Sequence, residues 1–290
     1  MSKVKIITDS SSDFRLEQYE ENDVECIPFL ITLDGKRHLK ELIDISADEL
    51  YEMMLADPKL FPKTAYSALP EYMDCFRKHL SKGMDVFFLS MTANFSSLFQ
   101  NLLIARDALL AEFPGRKIIT YDSRTCAGGQ ALLLWKAIEL RNSGHGAEEI
   151  EQRLDGFSES LDITFTVNTL EYLQKGGRIG ALSAILGELL SIKPVIRLVN
   201  GEFHAIQKTI GRKKAIRAII DTHFKLRPDV CGRDFIVIQS AARNEAEDTA
   251  AILENEFGAV FRYDRIISVG ATIGVHIGPS VVGICSVKRG

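Results

Sequence analysis

The chain has 290 residues, which is longer than most single hydrophobic cores and favours about two domains. Hydrophobic residues make up 46% and charged residues 26% of the chain, a composition that excludes a disordered or fibrous protein. The net charge of -4 argues against a general surface for nucleic acid or anionic lipid, because such partners require clustered cations.

No segment is typical of export or of a membrane anchor. Residues 1–5 (MSKVK) lead directly into a strand-like segment and leave no apolar signal region, so we expect a cytoplasmic protein. The segment 266–287 lacks Asp, Glu, Lys and Arg and is long enough to cross a bilayer. Its four glycines, Pro279 and His276 disfavour a helix, and the pattern predicts a strand, a loop and a second strand.

The spacing of cysteines and histidines gives no indication of a metal site. The five cysteines are an odd number, lie far apart and include no C-x-x-C pair, which also disfavours a disulfide framework. The six histidines show no H-x-x-x-H pair. We therefore expect neither a metal ion nor a cofactor.

The first half of the chain alternates strand patterns with helical patterns, as in a parallel sheet covered by helices. Strands are predicted at residues 4–8, 85–91 and 117–121, and each is followed by a polar loop, at 9–13 (DSSSD), 92–97 (TANFSS) and 122–125 (DSRT). Ligands of open α/β sheets bind outside the carboxyl ends of the strands, so these loops are the expected site.

Helices and a more irregular insert connect these strands. Residues 26–32 are predicted to be extended, and 46–49 (SADE) form a capping box that opens the next helix. Pro70 is expected to open a further helix, and helical patterns fit residues 98–112 and 130–142.

After about residue 161 the pattern changes to strands in hairpin order mixed with helices. Asn200-Gly201 between 194–199 and 202–209 predicts a tight hairpin, because both turn residues readily take positive φ. Helices are predicted at 213–224 and 244–257, and strands at 234–239 and 281–287. The residues alone predict a two-domain α/β protein with its boundary near residue 161.

Several segments have both a structural and a functional interpretation. No G-x-G-x-x-G, G-x-x-x-x-G-K-[ST] or G-x-S-x-G motif occurs, which disfavours nucleotide binding and ordinary serine hydrolysis. The serines at 10–12 fit either anion donors or helix caps, and His276 fits either a structural histidine in a tight bend or a ligand contact. Residues 175–178 (KGGR) look like a helix C-cap followed by a surface arginine, and 179–190 suits a buried helix or the wall of an apolar pocket.

A family resemblance rests on motifs spread along the chain. The segment 173–179 (LQKGGRI) is followed at a matching distance by 189–194 (LLSIKP). TDSSSD at 8–13, YDS at 121–123 and HIGP at 276–279 stand in the expected order. Together these motifs resemble the DegV family over essentially the whole chain. The resemblance implies an α/β fold with an N-terminal α/β/α domain at 1–161 that holds a parallel sheet, and a C-terminal α/β domain at 162–290 with a mixed sheet.

The resemblance also implies a function. DegV-like proteins hold one long-chain fatty acid between the two domains and do no chemistry of their own. In characterised members the acid is presented to a separate kinase subunit, which phosphorylates its carboxylate to an acyl phosphate for phospholipid synthesis. We therefore expect a bacterial lipid-binding protein with no catalytic residue, no nucleic-acid partner and no membrane insertion.

Three residues match head-group contacts of the family. Thr64 matches the threonine that opens the motif T-S-Q-P-S, Ser96 matches the first serine of S-G-T-Y-Q-S, and His276 matches the histidine before G-P-G. The resemblance implies that these three side chains bind the carboxylate. The chain departs from the same motifs in ways that bear on the head-group geometry, at Ala65, Tyr66, Ser67, Ser97, Leu98 and Ser280.

Five basic residues are candidates for docking an acidic or nucleotide-bearing kinase: Arg178, Lys193, Arg212, Lys213 and Lys214. Their alternative interpretation is an ordinary solvated face. Two other functions stay open. One is an esterase or acyl-transfer enzyme that uses Ser96 with His276, although it would need an orienting carboxylate and an oxyanion hole. The other is a sensor of a small anion other than a fatty acid.

Overall fold

The structure is a computed structural model that describes residues 4–185 and 192–289. Its first sheet consists of the parallel strands β1 (Val4–Asp9), β2 (Val24–Ile27), β6 (Asp85–Ser90) and β7 (Ile118–Asp122). They lie in the order β2-β1-β6-β7. Every residue of β1 is buried, as expected for a parallel strand that is covered on both faces.

A small antiparallel sheet lies between β2 and β6 in the sequence. Its strands are β3 (Leu30–Thr32), β4 (Leu39–Lys40) and β5 (Lys63–Ala65), in the order β4-β3-β5. Thr64 is the middle residue of β5 and pairs with Ile31 of β3. This pairing fixes the position of Thr64 within the irregular insert.

The third sheet is mixed and has six strands: β8 (Asp162–Thr166), β9 (Ile192–Val199), β10 (Glu202–Ile210), β11 (Arg233–Ser240), β12 (Ile266–Ser268) and β13 (Val281–Lys288). Their order is β10-β9-β8-β13-β11-β12, and only β11 and β12 pair in parallel among these described strands. Asn200 and Gly201 have φ of 49° and 78°, so the predicted hairpin between β9 and β10 is confirmed.

The helices of the described chain are α1 (Leu16–Glu21), α2 (Ala47–Ala56), α3 (Leu69–Leu80), α4 (Leu98–Glu112), α5 (Ala127–Asn142), α6 (Ala147–Ser160), α7 (Glu171–Lys175), α8 (Arg212–Leu226), α9 (Arg243–Phe257) and α10 (Ala271–Ile277). The capping box of α2 forms as predicted, with Ser46 and Glu49 each bonding the other's backbone N–H. Residues Gly180–Ile185 form a 3-10 helix. The structure does not describe residues 186–191, which include the rest of the apolar segment 179–190 and the start of the motif LLSIKP.

Helix α5 packs against both large sheets. A Cβ on Gly128 would lie 2.4 Å from Ile238 of β11, and one on Gly129 would lie 2.4 Å from Ile163 of β8. Toward the parallel sheet, the Gln130 side chain donates to Thr8 at 3.3 Å and to Asp9 at 3.2 Å, both in β1. The predicted α/β fold with a parallel and a mixed sheet is confirmed, while the domain division at 161/162 stays a prediction.

The prediction of a strand, a loop and a strand over 266–287 is wrong in its middle part, because α10 occupies the expected loop. His276 therefore lies in the last turn of a seven-residue helix and not in a bend. Tertiary contacts override the poor helix propensity here. Glu41 accepts a hydrogen bond from the Thr272 N–H at the start of the helix, and a Cβ on Gly274 would lie 2.4 Å from the Tyr51 hydroxyl.

Candidate functional site

The structure brings Thr64 and His276 into contact, although they are far apart in sequence. The Thr64 Oγ1 and His276 Nε2 atoms lie 2.8 Å apart, a hydrogen-bond distance whose direction depends on the histidine tautomer. Thr64 comes from β5 and His276 from α10, so the pair joins the insert of the first half to the end of the second half. Both side chains line the same cavity.

The His276 ring is half-buried, and its lowered pKa favours the neutral form. Burial, and secondarily the charge of Arg178, lowers the pKa of His276 to about 4. Its Nδ1 atom has no hydrogen-bond partner within the described chain. A Cβ on Gly176 would lie 2.2 Å from this Nδ1, so the absence of a side chain at Gly176 makes room for the ring.

Ser96 lines the same cavity but does not pair with the histidine. Its Oγ accepts the Leu98 N–H at 3.2 Å, at the start of α4. No Ser96–His276 hydrogen bond forms within the described residues, and Thr64 is the partner of His276 Nε2. The arrangement thus places a hydroxyl and an imidazole on a shared wall without the base contact that activates a serine nucleophile.

The cavity has a volume of about 330 Å³, within the usual range for small-molecule sites. Ten of its sixteen described lining residues are apolar or aromatic, and the other six are polar or charged. The lining residues are Phe29, Thr64, Ala65, Tyr66, Met91, Phe95, Ser96, Ser97, Cys126, Leu173, Arg178, Phe203, Thr272, Ile273, His276 and Ile277. Such a wall suits a ligand with a long apolar part and one small polar group.

Two departures from the family motifs contact each other in this wall. The Tyr66 hydroxyl accepts from Asn101 Nδ2 at 2.7 Å and from Ser97 Oγ at 3.3 Å. Tyr66 stands where the motif has Gln, and Ser97 stands where it has Gly. The two replacements therefore act together and attach the insert to the first turn of α4.

Arg178 is not the surface arginine that the sequence indicated. Its side chain is half-buried, lines the cavity, and donates from Nε to the Phe95 carbonyl at 3.0 Å and from Nη1 to the Gly176 carbonyl at 2.6 Å. The helix end before it is as predicted, with Gly176 as the C-cap of α7. Sequence reasoning missed Arg178 as a cavity residue because a C-cap motif does not specify the direction of the following side chain.

The other candidate docking residues lie on or near α8. Lys213 and Lys214 are exposed, and Arg212 forms an ion pair with Glu245 at 2.6 Å. Lys193 Nζ donates to the Asn168 carbonyl at 2.6 Å, and burial together with the charge of Arg212 lowers the pKa of Lys193. Docking at these positions stays a prediction.

The serines after β1 make structural hydrogen bonds within a 3-10 turn and do not line the cavity. Ser11 Oγ lies 2.5 Å from Asp9 Oδ1 and 2.9 Å from Gln130 Oε1, so its one proton is shared between them, while Ser12 Oγ donates to the Asp9 carbonyl at 3.0 Å. Ser10 Oγ donates to Glu41 at 2.5 Å. Of the two interpretations of this loop, the hydrogen bonds support the structural one, although the capping residue is Asp9, whose side chain accepts the Ser11 N–H.

Glu41 is a buried carboxylate that sequence reasoning missed. It accepts the Thr272 N–H at 3.0 Å and the Thr272 hydroxyl at 2.5 Å, and burial raises its pKa. Beside it, Asp13 accepts the Gly270 N–H at 2.9 Å. The two acids position the start of α10, the helix that carries His276. No local pattern reveals this role, because the contacts cross more than 200 residues.

The chain is similar in sequence to known proteins over nearly its whole length. The family model "Uncharacterised protein, DegV family" matches residues 3–289. A DegV domain-containing protein of Caldanaerobacter subterraneus subsp. tengcongensis is 30% identical over 284 residues, which cover 98% of both chains.

Two solved structures have the same fold over nearly the full length. A stearic acid-binding protein from Eubacterium ventriosum has a TM-score of 0.92 with 28% identity, over 98% of both chains. A fatty acid binding DegV family protein from Streptococcus agalactiae has a TM-score of 0.86 with 28% identity, over 100% of both chains. Within the described residues, no helix has the length and apolar character required to cross a membrane.

Proposed function

Because the chain belongs to the DegV family, we propose that it binds one long-chain fatty acid in the cavity lined by Thr64, Ser96 and His276. The observation that carries the proposal is the Thr64–His276 pair, a small polar group within a largely apolar wall. The stearic acid named for the Eubacterium ventriosum protein and the fatty acid binding named for the Streptococcus agalactiae protein support it.

The balance of forces suits such a ligand. Burial of about 15 methylenes is worth on the order of 12 kcal/mol before the cost of ordering the chain, at about 0.8 kcal/mol each. Hydrogen bonds to a carboxylate contribute roughly 1.5 to 3 kcal/mol apiece, but much of this offsets the desolvation of the charge. The apolar tail thus provides most of the affinity, and the polar residues determine where the carboxylate lies.

His276 suits the binding of a carboxylate in either protonation state. A neutral imidazole can still donate one N–H to an anion, and a buried anion in turn favours the protonated ring. The half-buried Arg178 in the same wall supplies a permanent positive charge. The site therefore compensates a carboxylate without a metal ion.

The proposed role in the cell is that of a binding subunit in the cytoplasm, which presents the acid to a separate kinase for acyl phosphate formation in phospholipid metabolism. The exposed Lys213 and Lys214, with Arg212 and Lys193, form the proposed docking surface, whereas Arg178 lines the cavity. Charge reversal at Lys213 and Lys214 should slow acyl phosphate formation by a fatty acid kinase subunit. The same change at the exposed Lys36, which belongs to the turn between β3 and β4, is the control. Equal rates in both variants would reject this docking surface.

The direct test is denaturing extraction of the freshly purified protein followed by mass spectrometry. We expect one equivalent of a C14 to C20 fatty acid in the wild type, less in Ser96→Ala, and an unchanged amount in the exposed-serine control Ser143→Ala. A different bound anion would support the sensor, and turnover of acyl esters that depends on Ser96 would support the enzyme. Either result would contradict the binding-subunit proposal.

A further inference from the structure

Three side chains outside the cavity bring potential metal ligands together at the edge of the parallel sheet. Cys75 and His79 stand four residues apart on α3, so they share one face of the helix. Glu25 belongs to β2, the edge strand beside them. The thiol, imidazole and carboxylate ligand atoms all lie within 4.8 Å of one another.

The surroundings of this cluster are partly closed. His79 is buried, with 5% of its surface exposed, and Cys75 is half-buried. His79 Nε2 and Glu25 Oε2 lie 2.5 Å apart. Lys78 Nζ donates to Glu25 Oε1 at 3.0 Å and to Oε2 at 3.1 Å, which orients the carboxylate toward the helix.

We propose that Glu25, Cys75 and His79 bind one divalent transition-metal ion of the zinc type. A thiolate, an imidazole and a carboxylate are the three ligand types that Zn²⁺ takes in proteins. Mg²⁺ and Ca²⁺ are disfavoured because they prefer oxygen ligands, whereas here two of the three donors are nitrogen and sulfur. Three protein ligands leave the fourth tetrahedral position for water or an external ligand.

The geometry needs only a local adjustment. Zinc bonds of about 2.0 to 2.3 Å place tetrahedral ligand atoms roughly 3.3 to 3.8 Å apart. The contact between His79 and Glu25 must therefore lengthen by about 1 Å, which a rotation of the Glu25 side chain provides. Lys78 can keep its bond to the carboxylate oxygen that the ion does not use, as an outer hydrogen bond that fixes the ligand. On binding, the Cys75 thiol releases its proton to solvent.

The sequence did not indicate this site because the ligands come from separate parts of the chain. The chain has no C-x-x-C and no H-x-x-x-H pair, whereas Cys75 and His79 form a C-x-x-x-H pair. The third ligand, Glu25, precedes Cys75 by 50 residues and reaches it through the packing of α3 on the sheet edge. The ion would join β2 to α3, away from the fatty-acid cavity.

The test uses Co²⁺ as a spectroscopic probe, added to the metal-free full-length protein. We expect one equivalent to bind, with a thiolate-to-cobalt charge-transfer band and tetrahedral visible bands that Zn²⁺ abolishes. Cys75→Ser should lose the charge-transfer band, while Cys231→Ser, which removes the exposed cysteine, should keep it. Lys78→Met should weaken binding by roughly 10-fold through loss of the outer hydrogen bond.

A second measurement needs no variant and so does not depend on variant folding. Zn²⁺ should protect Cys75 of the wild type from alkylation, while Cys231 in the same sample reacts freely, as read by peptide mass spectrometry. Co²⁺ binding without a charge-transfer band, a band lost with Cys231 instead of Cys75, or equal alkylation of Cys75 with and without Zn²⁺ would overturn the proposal.

Discussion

Gly176 lies so close to His276 that a Cβ on Gly176 would be 2.2 Å from the His276 Nδ1 atom. The backbone of Gly176 has φ of -78° and ψ of -7°, which any residue can adopt. The requirement for glycine here comes from the side chain of α10 and not from the local backbone.

Gly176→Ala should therefore displace the His276 ring and weaken fatty-acid binding by more than about 10-fold, with a loss of roughly 1 to 3 kcal/mol in unfolding free energy from overpacking. Gly156→Ala is the matched control, because its Cβ would meet nothing within 4 Å on the exposed side of α6. The control should gain about 0.5 to 1 kcal/mol in stability and bind normally. Titration calorimetry and denaturant unfolding measure both effects, and normal binding by Gly176→Ala would contradict the assigned position of His276.

The hydroxyl of Thr64 can be removed without changing the shape of its side chain. Thr64→Val should weaken binding of a saturated fatty acid by roughly 10- to 100-fold, because the head group and His276 Nε2 both lose a hydrogen-bond partner. Thr64→Ser keeps the hydroxyl and should retain most of the affinity. The affinities are measured by displacement of a fluorescent fatty acid. Equal affinities for the valine and serine variants would contradict the role of Thr64 as a head-group contact.

Protonation of His276 should oppose folding at acidic pH. Its pKa is about 4 in the folded protein against an ordinary value of 6.5, so the unfolded chain binds the proton first as the pH falls. The stability from neutral His276 is present above pH 6.5 and declines as the pH falls to about 4, by about 3 kcal/mol in total. The buried His223, with a pKa also lowered to about 4, adds a similar slope, so His276→Gln should remove only part of it. An unchanged slope in that variant, from unfolding titrations between pH 4 and 7, would contradict a neutral His276 ring in the folded protein.

Asp13 should have the opposite pH dependence. Burial, and then the charges of Glu41 and Asp9, raises the pKa of Asp13 well above 3.8, so the folded state retains the proton after the unfolded chain has lost it. Stability from this group is thus highest below pH 3.8 and falls as the pH rises toward the folded pKa. Asp13→Asn keeps the acceptor for the Gly270 N–H and suits the left-handed backbone with φ of 57°, so it should raise the melting temperature more at pH 8 than at pH 5. A gain that does not grow with pH would show that Asp13 is not protonated in the fold.

Local patterns were sufficient where backbone chemistry decides the structure. The Ser46–Glu49 box, the Asn200-Gly201 turn and the C-cap at Gly176 each form as predicted, because their signals act within a few residues. The strands β1, β6 and β7 were also predicted correctly, because each is a short apolar run that ends in a polar loop. The prediction failed at α10 because this helix depends on distant residues. Glu41 and Tyr51 contact it, although its own sequence disfavours a helix.

The sequence by itself determined the α/β class, the parallel first sheet, the bounds of several strands and helices and, through its motifs, the family and three candidate head-group residues. Only the tertiary structure decided that Thr64 and His276 touch, that Arg178 faces a cavity, and that Glu25 meets Cys75 and His79. The physical reason is one of range. Turns, caps and periodicity act over a few residues, whereas each of these sites is made by packing elements from remote parts of the chain.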